Sequence, residues 1–283
     1  MPLWGWRSVF VGGGVLPLVL AVLLIVVLPE SLRFLAAVGA NRERMAAIVR
    51  RIAPEAADVP LAPPPPSERL QGMPLRHLFT GGRATGTVLL WIPFFMNLLI
   101  LYFIVNWLPS LLIDAGMPIS AGLTANAAFG IGGIIGTLLQ GPLMRTFGVY
   151  KPMAVELVVS IALVVLSAQI FANFELMIVV TFVLGVSVQA AQAGLNVLAA
   201  MYYPTAMRST GVGWANGVGR IGAIVGPLIG GAMLQIHWTP REIFLAGAVP
   251  ALIAAATVLS SGWLQGKASP YRSEAQPVAT LVH

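Results

Sequence analysis

Seven times along this chain an apolar run of about 20 residues recurs, the length at which a helix rising 1.5 Å per residue crosses a hydrocarbon core. The runs fall near residues 9–28, 86–113, 121–144, 152–172, 176–201, 211–235 and 243–264. The segments between the last six are short and polar, as at residues 145–151, 173–175 and 237–242. Only 9% of the residues are charged, against about 25% in a soluble globular domain. Too little charge remains to cover a water-facing surface, so lipid is the solvent for most of the chain. The expected fold class is an all-α polytopic membrane protein with seven transmembrane helices. The absence of cysteine excludes disulfide scaffolds, thiol enzymes and cysteine-ligated zinc.

Charge placement predicts the topology. With the segment after the first run on the cytoplasmic side, alternation puts thirteen Lys and Arg inside and only Arg7 and Arg241 outside. By the positive-inside rule, the N-terminus is then outside and the C-terminus cytoplasmic. The net charge of +6 is therefore topological, and nucleic acid is not expected as a partner. The sixteenth basic residue, Arg220, lies in the middle of the sixth run. The first run follows Arg7 but is too long for a secretory signal and has no small-residue cleavage site behind it, so it reads as a true span.

Residues 29–85 form the one long polar stretch. Within residues 42–53, Met45, Ile48, Val49 and Ile52 share one helical face, and Arg42, Glu43, Arg44, Arg50 and Arg51 take the other. That pattern suits a basic amphipathic helix lying on an anionic leaflet, and equally a solvated helix packed on the span ends. Four prolines at 63–66 give an extended linker. The domain plan expected is a single helix over 1–28, a cytoplasmic linker over 29–85, a six-helix bundle over 86–264 and a cytoplasmic tail over 265–283. One helix, a long basic linker and six closely connected helices fit half of a carrier built as two six-helix bundles.

Particular residues carry a resemblance. The segment Leu28-Pro29-Glu30-Ser31-Leu32-Arg33-Phe34-Leu35 is similar to the element that follows the sixth helix in many major facilitator proteins. Asn106-Trp107-Leu108-Pro109-Ser110-Leu111-Leu112, Gly194-Leu195-Asn196, the stretch from Tyr203 through Arg208 and Trp214 to Ala215, and Gly219-Arg220-Ile221-Gly222 through Pro227 resemble the aromatic acid/proton symporter family. The resemblance runs from Gly5 to about Trp263. It implies a twelve-helix carrier of which this chain matches helices six to twelve, the last six being the C-terminal bundle of the major facilitator fold. The first-helix acids that the family uses for proton coupling have no counterpart here. A weakened loop motif is present over residues 141–151, with Arg145 and Gly148 matched but Met144 where an acid is usual.

By this resemblance the chain takes part in proton-coupled symport of aromatic carboxylates such as hydroxybenzoates, in a bacterial inner membrane. Its implied partners are a small aromatic carboxylate, a proton, the lipid bilayer and an N-terminal six-helix half or another copy. Alone it is expected to be a truncated, transport-incompetent part that lacks that half. Another small organic anion remains an alternative substrate. A seven-helix receptor is the alternative of another class. A retinal protein would need a lysine within a span, and Lys151 and Lys267 sit at span ends or in the tail.

Candidate site residues follow from polar side chains inside apolar runs. A charge at mid-depth costs roughly 2.5 to 3.5 kcal/mol by insertion scales unless it finds protein or water. Arg220 therefore reads as a carboxylate clamp, or as a packing arginine bonded to carbonyls or to an acid such as Glu156. Gln189, Gln192 and Asn196 share a face of the fifth run, Asn216 stands one turn from Arg220, and Tyr102 one turn from Asn106. These faces point inward, to line a substrate cavity or to bond helix to helix. Glu30, Arg145, Glu156 and Arg208 are candidates for ion pairs at a cytoplasmic gate. Glycines at four-residue spacing, Gly132/Gly136, Gly213/Gly217 and Gly222/Gly226/Gly230, permit close helix contact. No metal-ligand spacing and no constellation of nucleophile, acid and base is present, so neither cofactor, metal nor enzymatic chemistry is expected.

Overall fold

A computed structural model describes residues 5, 7–27, 35, 42–52, 74–170, 173–204 and 207–267. These residues form two compact units, residues 1–68 and 69–283. The first unit contains α1 (Arg7–Val27), an apolar helix with Pro17 inside it, and α2 (Arg42–Ile52). In α2, Met45 is buried, Ile48 and Val49 are half-buried, and Arg50 and Arg51 are exposed. The element over residues 28–34, Glu30 included, lies outside the described residues.

The second unit holds α3 (Pro74–His77), α4 (Ala84–Asp114), α5 (Ile119–Phe147), α6 (Tyr150–Ser167), α7 (Phe174–Tyr202), α8 (Arg208–Gln235), α9 (Pro240–Ala246) and α10 (Ala248–Lys267). Among the described residues there is no strand, and seven helical stretches are long and apolar enough to cross a membrane, α9 and α10 together making the seventh. The turns between helices use particular residues. Gly116 and Gly148, at φ of 86° and 81°, reverse the chain after α4 and α5 in a region that L side chains rarely enter. Asn173 caps α7 by accepting from the Leu176 N–H at 3.1 Å. Thr239 and Glu242 close a capping box on α9, with the Thr239 N–H donating to Glu242 Oε2 at 2.7 Å.

The seventh stretch departs from the uninterrupted helix expected over 243–264. It breaks at Gly247, whose N–H bonds back to the carbonyls of Ile243 and Phe244. Pro250 has no N–H to return to Ala246, so the ladder cannot run through this point unbroken.

Two parallel helix pairs build the bundle, α4 with α8 and α5 with α7. Glycine makes both contacts possible. A Cβ at Gly132 or Gly136 would collide with the carbonyls of Phe182 or Val186 on α7, and one at Gly185 with that of Phe129 on α5. In the other pair, Gly222 and Gly226 lie against the backbone of Phe95 and Leu99 on α4, and Gly230 lies against the Trp107 ring. The buried residues of α8 are all small: Gly211, Ala215, Gly219, Gly222, Gly226 and Gly230. Gly213 and Gly217 differ from the expectation of close contact, since a Cβ at either would meet nothing within 4 Å. They lie on the opposite, exposed face of the helix.

The remaining contacts repeat this relation. Helix α10 packs on α4 as α6 packs on α7, and α6 and α10 touch each other. Two three-helix repeats, α4–α6 and α7–α10, are thus joined by matching contacts, the pattern of a pseudo-twofold axis in a transporter bundle.

Candidate functional site

Three side-chain hydrogen bonds close a triangle between α4, α7 and α8. Asn97 on α4, 1% exposed, donates through Nδ2 to Gln192 Oε1 on α7 at 3.0 Å and to the Val188 carbonyl at 3.2 Å. Asn216 on α8 donates through Nδ2 to Asn196 Oδ1 on α7 at 3.0 Å. Arg220, one turn further along α8, donates through Nη1 to the Tyr102 hydroxyl on α4 at 3.0 Å.

Each polar group is placed there by helical spacing. Gln192 and Asn196 are four residues apart, as are Asn216 and Arg220, so each helix presents its pair on one side. Within the helices, Asn196 also donates to the Gln192 carbonyl and Asn216 to the Val212 carbonyl, both at 3.0 Å. These local bonds fix the rotamers of the amides that reach across. The amides and Tyr102 are half-buried or buried, whereas Arg220 is exposed. Its guanidinium has five N–H donors in a planar fork, and the bond to Tyr102 is its one hydrogen bond among the described residues. An exposed fork held from one side by a phenol is ready to receive an anion from the other.

Trp107 braces the same pair of helices, donating from Nε1 to the Pro227 carbonyl at 3.0 Å. Near the opposite end of α4, the Trp91 and Trp214 rings stack at 6.2 Å.

Two of the expected site residues stand apart from the triangle. Asn106 is exposed and donates to the Tyr102 backbone carbonyl at 2.7 Å, a bond within its own helix. The Gln189 side chain lies over Gly133 on α5, where a Cβ would sit 2.6 Å from Gln189 Cγ. Asn97 joins the triangle in addition to the residues expected from the sequence. It is an amide inside the apolar run of α4, the same signal that marked Gln192 and Asn196.

Of the candidate gate residues, Arg145, Glu156 and Arg208 are among the described residues. Arg145 is exposed in the last turn of α5, and Arg208 is half-buried at the start of α8. Glu156 is 9% exposed and accepts from Gln140 Nε2 on α5 at 3.3 Å, so its partner is an amide and not Arg220. Among the described residues no three of His, Asp and Glu gather as metal ligands would.

Comparison with known proteins agrees with this architecture. The chain is 35% identical over 266 residues to the 4-hydroxybenzoate transporter of Pseudomonas aeruginosa, covering 93% of this chain and 59% of that protein. It is 36% identical over 271 residues to the gallate transporter of Pseudomonas putida, covering 95% of this chain and 60% of that one. To the benzoate transport protein of Acinetobacter baylyi it is 34% identical over 262 residues, covering 91% of this chain and 55% of the relative. The chain therefore spans less than two thirds of the length of these relatives, all of them transport proteins and not enzymes. The Major Facilitator Superfamily model matches residues 1–167 and 125–280. With seven membrane-spanning stretches, a two-repeat helical bundle and a family match across nearly its whole length, this multi-pass membrane protein belongs to the Major Facilitator Superfamily.

Proposed function

We propose that this bundle forms one wall of a proton-coupled carrier for aromatic carboxylates, with Arg220 as the group that holds the substrate carboxylate. The single observation that supports this most is the exposed Arg220 fork, anchored by Tyr102 beside the Asn97–Gln192 and Asn196–Asn216 amide bonds. A monoanionic aromatic acid has one planar carboxylate and a ring with polar substituents. The guanidinium matches the carboxylate, and the half-buried amides match hydroxyl groups on the ring. The substrates after which the relatives are named, 4-hydroxybenzoate, gallate and benzoate, belong to that class.

In this reading the bundle works against a second six-helix bundle, in the same polypeptide or another, and the site lies between them at mid-membrane. Substrate reaches the site from each side in turn as the bundles rock. Segments 29–85 and 265–283 are cytoplasmic, and the chain resides in the inner membrane. Arg145 and Arg208 serve the cytoplasmic closure, together with Glu30.

The test uses a full-length carrier containing this sequence, with 4-hydroxybenzoate binding measured on purified folded protein. Arg220→Lys keeps the charge but loses the fork, and is expected to weaken binding at least tenfold. Arg220→Gln is expected to nearly abolish it. Unchanged affinity in folded Arg220→Gln would remove Arg220 from the site and leave it as a packing residue.

A further inference from the structure

Away from the triangle, the bundle buries a second polar pair whose hydrogen bonding is incomplete. Glu156 on α6 is 9% exposed and Gln140 on α5 is 1% exposed. One bond joins them, from Gln140 Nε2 to Glu156 Oε2 at 3.3 Å. Two oxygens are left over, Glu156 Oε1 and Gln140 Oε1, and both are buried with no donor.

Little else in the surroundings can supply one. The Ser160 hydroxyl, the next polar group along α6, is committed to the Glu156 backbone carbonyl at 2.8 Å. On α7, Gly194 presses against the pair, since a Cβ there would lie 2.6 Å from Gln140 Nε2 and 2.8 Å from Met153 Cγ. The charged and titratable residues on the elements packed against α6 are Arg145 on α5, Glu175 and Tyr202 on α7, Arg241 and Glu242 on α9, and Lys267 on α10. Tyr150 and Lys151 belong to α6 itself. Among the described residues the Glu156 carboxyl has one hydrogen bond, the one from Gln140.

An ionised carboxylate only accepts hydrogen bonds. Here it would bury a charge with one donor and leave the amide oxygen of Gln140 stranded as well. A neutral carboxylic acid brings one O–H, and one donor is what the two stranded oxygens lack.

We propose that Glu156 and Gln140 form a proton-binding site, in which neutral Glu156 donates its O–H to Gln140 Oε1 while Gln140 Nε2 donates to Glu156 Oε2. The pair then closes on itself as an acid–amide couple between α5 and α6. It lies against α7 at Gly194, two residues from both Gln192 and Asn196. Loss of the proton puts a charge behind the helix that carries two amides of the candidate site. Proton binding itself requires nothing of the transport reading, because it is a property of the bundle without substrate.

Infrared spectroscopy of the purified full chain in lipid nanodiscs tests this directly and without ligand. At neutral pH the wild-type protein is expected to show the carbonyl stretch of a protonated carboxylic acid, lost at alkaline pH and absent from Glu156→Gln. In Gln140→Leu the acid loses its acceptor, and its band is expected to move to higher frequency. If Glu156→Gln instead removes only an ionised carboxylate signal, the proposal fails. Should that variant give no folded protein, Gln140→Leu decides: a shifted band supports the shared proton, and an unmoved one overturns it.

Discussion

The side chains that define the candidate site are few, and each makes a different kind of contact. Arg220 needs a partner that fixes its direction without neutralising it, and the Tyr102 hydroxyl at 3.0 Å does that. A carboxylate in that position would cancel the charge offered to a substrate. A typical hydrogen bond contributes about 0.5–1.5 kcal/mol net. Tyr102→Phe is therefore expected to lower affinity for 4-hydroxybenzoate in the full-length carrier by between about twofold and tenfold, with the melting temperature unchanged. Calorimetric titration of the purified variant checks this. Arg220, Gln192, Asn196, Asn216 and Tyr102 could be found from the sequence because a polar group inside an apolar run has to be satisfied somewhere. Spacing alone could not show that Gln189 and Asn106, which share those faces, stand apart from the triangle, the one over Gly133 and the other bonded to its own helix backbone. Nor could it find the partner of Glu156, because that partner is a neutral amide on another helix and not a countercharge.

At the level of helices, two clasps hold the bundle, and they depend on side chains that are missing. On α8, Gly222 and Gly226 bring the helix against the α4 carbonyls of Phe95 and Leu99, while Gly217 on the other face meets nothing. The same residue type therefore predicts opposite results one or two turns apart. Gly222→Leu is expected to force α8 off α4 and to destabilise the protein by about 1–3 kcal/mol or more, as overpacking does. Gly217→Ala is expected to be neutral or to stabilise by up to about 1 kcal/mol through helix propensity. Thermal unfolding of both variants in the same detergent makes the comparison. The seven spans themselves were legible because length and hydropathy together admit little else. The break at Gly247 was not, since Gly247 and Pro250 lie within an apolar run whose hydropathy is blind to a missing N–H.

For the whole molecule, the sequence speaks to orientation through its basic residues. Thirteen Lys and Arg fall on one side under alternation and two on the other. Reporter fusions within residues 60–70 and after His283 are expected to report cytoplasm, and a fusion near Asn173 the outside. An external signal from the 60–70 fusion would invert the arrangement.

The composition of α8 has a mechanical consequence. Eight of its 28 residues are glycine, with Pro227 among them. Each interior glycine costs a helix roughly 1 kcal/mol relative to alanine, so this segment has little rigidity of its own. Its support comes from α4, through the clasp at Gly222, Gly226 and Gly230. Any motion that loosens that clasp also softens the rod on which the guanidinium is mounted. The aim of Arg220, fixed directly by Tyr102, thus also depends on a glycine surface elsewhere on its own helix.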